Sequence, residues 1–296
     1  MELSWPTKLK ITATVTLGAI AIGILAWPLS APTDPLTAVR ASNLGPLGIV
    51  ALLGLAFAVG FVCYFVSWPY GREIAILAAP SGLAIWAIRT GNLATLIQLY
   101  PTLPQRQAII AGLRWELLFW LLVVAAGFAG VLVAQKLKPS SSPIPPPAKR
   151  NTNFNRYIAP VLALVISAVI VQVFLRILAC DLPTAHNQAA AQPPTGQIVF
   201  AVWVSFGLAA FAAERFLRTS YIWCILSSAI VSVISTATYL DEKTLKHFLS
   251  SFPANFFPDA VISILPIQMV AFGTLGAIWG YWLAFRYEYW RRYESN

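Results

Sequence analysis

Residues 71–91 read GREIAILAAPSGLAIWAIRTG, and the topology of the chain turns on whether they cross a membrane. Between the charges lie only the fifteen apolar or small residues 74–88, with Pro80-Ser81-Gly82 in their middle. A hydrocarbon core of about 30 Å asks for about twenty helical residues. By its own length the stretch does not decide the matter.

The rest of the chain does. Of 296 residues, 58% are apolar and 10% are charged, where soluble domains carry about 25% charged residues. Apolar residues at that density exceed what one aqueous core can hide, so the composition predicts an all-α, polytopic integral membrane protein. Long apolar runs fall at 11–29, 47–66, 74–88, 115–134, 157–178, 198–213, 221–240 and 260–285. Their length and lack of strict alternation predict about eight transmembrane helices rather than strands. The first run follows Lys8 and Lys10 as a signal peptide would. It is longer than a usual signal core and ends at a poor cleavage-like Leu29-Ser30-Ala31, so it reads as a retained first helix.

Charge places 74–88. If all eight runs cross from a cytoplasmic N-terminus, thirteen Lys and Arg residues fall inside and seven outside. If 74–88 stays on one side, the counts become nine inside and eleven outside, and the cluster from Lys136 to Arg156 is left outside. Lys and Arg are in excess in cytoplasmic loops, so the spanning reading is preferred, with both termini cytoplasmic in an inner membrane. Arg72 and Arg89 can snorkel to opposite surfaces and lengthen the span. The net charge of +9 is distributed between apolar runs rather than along a polar stripe; this argues for a lipid bilayer, not nucleic acid, as the partner.

The centres of runs one to four and five to eight are about 148 to 150 residues apart in each case. That spacing predicts two four-helix halves, 1–136 and 157–296, as a parallel internal repeat. Residue identities at this offset, such as Gly127 with Gly276, are no more frequent than the composition gives. Between the halves, 137–156 is rich in Pro and Ser and predicts an extended cytoplasmic linker.

Chemistry is sparse. Cys63, Cys180 and Cys224 have no close spacing and read as small apolar packing residues. His186 and His247 fall in outer loops, and no metal, nucleophile-elbow or cofactor motif is present in the sequence. Arg114 and Glu116 flank Trp115 at the outer boundary, as an anion site or as interfacial anchors. Pro80 frees the Ile76 carbonyl and Gly82 loosens the next turn. Such breaks can supply backbone groups to a midplane site, and Ser81, Gln172, Ser205, Ser227, Ser228 and Gln268 could share it. Proline and glycine are also common in membrane helices, so a plain kink is the simpler reading. Outer loops 91–114 and 241–259 carry amphipathic stretches suited to capping the bundle or to docking other membrane proteins.

The expected function is therefore a non-enzymatic scaffold or assembly component of a membrane complex, without cofactor. The alternative is a small-molecule or lipid transporter with a site between the halves near Pro80.

Overall fold

Eight long helices follow the apolar runs in the computed structural model, which describes residues 4–32, 37–91, 93, 96, 99–100, 102–139, 153–179, 193–239 and 260–294. They are α1 Trp5–Leu29, α2 Pro46–Val66, α3 Gly71–Arg89, α4 Leu103–Leu137, α5 Asn153–Leu178, α6 Thr195–Leu217, α7 Tyr221–Tyr239 and α8 Pro266–Glu294. No strand occurs among the described residues. Seven of the helices are long and apolar enough to cross a membrane. The exception is α7, whose apolar stretch Tyr221–Ala237 is shorter. The protein is an all-α polytopic membrane protein. Proline stands in the first two positions of α1, α2 and α4, where its missing N–H would have had no helical partner in any case.

The stretch quoted above forms α3, with one 3-10 turn at Ala75–Leu77 just before Pro80. Its shortness has a structural reason. In an eighteen-residue window of α3, 78% of residues are buried, against 28% in α1 and 33% in α2. α3 is held inside protein, so small residues replace the large apolar ones that a lipid-facing helix needs. Gly18 of α1 lies against the Ala78 carbonyl, and a Cβ on Gly82 would meet the Ile22 Cβ at 2.5 Å. Pro80-Ser81-Gly82 thus forms a close helix contact of the small-residue type. Ser81 Oγ donates to the carbonyls of Leu77 at 2.7 Å and Ala78 at 2.9 Å.

Two crossings fix the remaining helices. α2 meets α4 where Gly60 and Gly130 lie on the carbonyls of Gly127 and Phe57. α6 meets α8 where Gly276 and Gly280 lie on the carbonyls of Trp203 and Gly207. α1 packs on α3, α5 on both α6 and α7, and the two groups join where α3 and α4 meet α7 and α8.

The helices depart most from the apolar runs at α4 and α8. α4 starts at Leu103, well before residue 115, because Ile109, Ile110 and Leu113 form a buried face between polar residues that break any continuous run. α8 starts at Pro266 after a short turn, Ala260–Ser263, and carries its helix on through Tyr287 and Trp290. The amphipathic segment expected at 244–252, most of the linker, His186, His247 and Cys180 lie outside the described residues.

Candidate functional site

The polar groups buried in this bundle sit at helix ends and seams, because a helix interior in hydrocarbon has already satisfied its own backbone. At one end of the bundle, Lys10 donates to the Trp68 carbonyl at 2.7 Å and Lys138 lies 4.2 Å over the Trp68 ring. Arg218 and Glu288 approach to 4.0 Å at the same end. This is the basic end.

At the opposite end, residues 37–39 are tied to the end of α3. The N–H of Val39 donates to Thr90 Oγ1 at 2.8 Å, and Gly91 N–H to the Thr37 carbonyl at 3.1 Å. Ala38, Val39, Leu44, Leu93 and Leu96 are buried there with the first turns of α4. Arg40 Nε and Glu116 Oε1 form an ion pair at 3.1 Å, with the Glu116 side chain 8% exposed. Arg114, two residues earlier, turns the other way and donates to Thr236 Oγ1 on α7 at 3.0 Å. Residues two apart on a helix do not share a face, so Arg114 and Glu116 serve two different seams and are not joined in one site.

Gln268 carries the most informative contacts. It is the third residue of α8, and its Oε1 accepts from the N–H of Leu265 at 3.1 Å. That is the side-chain half of a capping box. Its Nε2 donates to the Ala87 carbonyl at 3.3 Å. Ala87 is in the last turn of α3, and Gly91 N–H, its normal helical partner, is engaged with Thr37. One amide therefore caps α8 and α3 together and ties the seam where they meet.

The other proposed site residues do not gather around it. Ser81 and Gly82 face α1. Gln172 lies on α5, with both amide atoms buried and without a hydrogen-bond partner among the described residues. Ser227 Oγ donates to the Cys224 carbonyl, while the hydroxyls of Ser205 and Ser228 have no partner there. The seam between α4, α7 and α8 encloses one niche of about 10 Å³ beside Ser232, Ser235 and Thr236, room for about one water. Sequence reasoning named Ser228 but passed over Ser232, Ser235 and Thr236, which continue its face at helical spacing. It also passed over Arg40, whose partner is 76 residues away.

A second space is larger and apolar. A groove of about 320 Å³ runs beside Leu77 of α3, Trp203 of α6 and Phe272, Leu275, Trp279 and Trp282 of α8. Among the described residues no group of three or more His, Cys, Asp or Glu could hold a metal ion. No family model, curated protein or solved structure matches the chain.

Proposed function

We propose that the chain is a non-enzymatic scaffold or assembly component of a membrane complex. The observation that carries this reading is the sealed seam. A transport path near Pro80 needs space that water or solute can occupy. Instead, Pro80-Ser81-Gly82 is packed against α1, and the Gln268 amide is engaged by two helix ends. The polar niche beside α7 has room for about one water. The partner surfaces expected from the sequence are the outer loops 91–114 and 241–259; of the first, residues from Leu103 on belong to α4, and Leu99 and the neighbouring Trp115 are exposed. The reading includes an inner membrane, two four-helix halves and cytoplasmic termini, with the basic end on the cytoplasmic side as the charge count favours.

The transporter remains the second reading, favoured by the amide of Gln172 and the hydroxyls of Ser205 and Ser228, which have no partner among the described residues. One experiment separates the two. Cys63, Cys180 and Cys224 are replaced by alanine, and single cysteines are placed at Ser81, Gln268 or Ser141. A membrane-impermeant maleimide should leave positions 81 and 268 unlabelled and reach 141 only from the cytoplasmic side. Labelling at 81 or 268 from either side favours transport; labelling of 141 from outside inverts the topology. In parallel, the scaffold reading expects a stoichiometric complex after crosslinking in native membranes and mild solubilisation. Recovery of the lone chain counts against it.

A further inference from the structure

The tryptophans of this chain are mostly where membrane helices place them, near the ends. Trp203 and Trp279 are not: they stand in the middle of α6 and α8, with ring centroids 5.0 Å apart and exposures of 36% and 40%. Together with Phe272, Leu275, Trp282 and Leu77 they wall the groove of about 320 Å³. That is far more than one water requires, yet a water needs two to four polar partners, and the wall is nearly all carbon. From Phe272 to Trp282 is ten residues of helix, about 15 Å at about 1.5 Å per residue. This equals half the hydrocarbon core, the reach of one lipid chain.

Below Trp282, towards the basic end, Arg286 follows one turn later on the same helix face. It is exposed and stacks on the Trp290 ring at 5.0 Å. Glu288, two residues on from Arg286, is engaged with Arg218. An apolar slot one leaflet long, with Arg286 below its end, fits a lipid with a negatively charged head.

We propose that this groove is a specific site for one hydrocarbon chain of an anionic phospholipid, with Arg286 holding the phosphate. The site does not depend on whether the protein is a scaffold. A bound lipid would fill the slot between α3, α6 and α8 and bring the contact of these helices under the control of membrane composition.

The test uses the full chain in vesicles of phosphatidylglycerol and phosphatidylethanolamine. A trace of phosphatidylglycerol carries a photoreactive diazirine in its chain, and adducts are located by peptide mass spectrometry. Adducts should concentrate on Trp203, Phe272, Leu275 and Trp279. Val199 also lines the groove, and Val199→Trp, which fills it, should reduce them to the level of ordinary lipid-facing positions. Val169→Trp, on the exposed face of α5, should leave them unchanged. Arg286→Gln lies outside the packed interior and should weaken capture of the anionic probe about fivefold, from the ~1 kcal/mol that one basic residue contributes near anionic lipid. The same variant should not change capture of a phosphatidylcholine probe. Adducts spread evenly over the lipid-facing helices, a Val199→Trp protein that labels like the parent, or equal capture of the neutral probe would each overturn the proposal.

Discussion

Gly280→Ala tests the helix packing most directly, because the added atom has nowhere to go. A Cβ at this position would lie on the carbonyl oxygen of Gly207, 2.7 Å from its carbon and 2.8 Å from its Cα. These are backbone atoms of α6, so no rotamer change relieves the overlap. Carbon contacts settle at about 3.5–4.0 Å, so α6 and α8 must separate by about 1 Å at the crossing. A gap of that size forfeits about a quarter to a half of the dispersion energy of the contacts it opens. Overpacking of close contacts costs about 1–3 kcal/mol, and Gly280→Ala is expected at the upper end. Gly54→Ala is the control. Gly54 also lies within a helix, α2, but a Cβ there meets nothing within 4 Å. Relief of the glycine penalty should stabilise that variant by about 0.5–1 kcal/mol. The two proteins should therefore differ by about 3–4 kcal/mol in denaturant or thermal unfolding followed by size exclusion in detergent. If Gly280→Ala melts together with Gly54→Ala, the α6–α8 crossing described above is wrong.

Three further substitutions follow from named contacts. Gln268→Leu leaves the Ala87 carbonyl and the Leu265 N–H buried without partners and should cost about 2–3 kcal/mol; Gln268→Glu, which keeps an acceptor for Leu265, should cost less in the same melt. Glu116→Ala strands a guanidinium that is 21% exposed and should cost about 1–3 kcal/mol, with the exposure lowering the value expected for a fully buried pair. The swapped pair Arg40→Glu with Glu116→Arg should recover part of it, and strict additivity of the two single changes would show that they do not interact. Arg218 ends α6 at φ 49° and ψ 48°, a left-handed conformation that favours glycine. Its ion pair with Glu288 is long and solvated, so Arg218→Gly should raise stability by about 0.5–1 kcal/mol, and a lower melting temperature would contradict this.

What could be read from the sequence depended on the range of the interaction. The apolar runs and the charges between them located all eight helices, since burial in lipid is decided residue by residue along the chain. The first three turns of α4 escaped because Ile109, Ile110 and Leu113 are apolar on one face only, and a search for continuous runs does not see a face. The shortness of residues 74–88 looked like a weakness in a helix assumed to face lipid. In the fold it is the consequence of being enclosed, where small residues are an advantage.

The side chains that join distant segments were legible only in part, and Gln268 shows where the line falls. Its place three residues after Leu265, at the start of an apolar helix, is a local pattern, and half of its role can be argued from that alone. Its other half depends on Ala87 being 181 residues away in sequence and adjacent in space. The same holds for Arg114 with Thr236 and Arg40 with Glu116. Sequence proximity suggested pairing Arg114 with Glu116; helix geometry sends them to opposite seams, and each becomes a brace for a different pair of helices. These side chains are therefore committed to holding helices together, and the proposed lipid site lies apart from them, in the apolar groove beside Trp203 and Trp279.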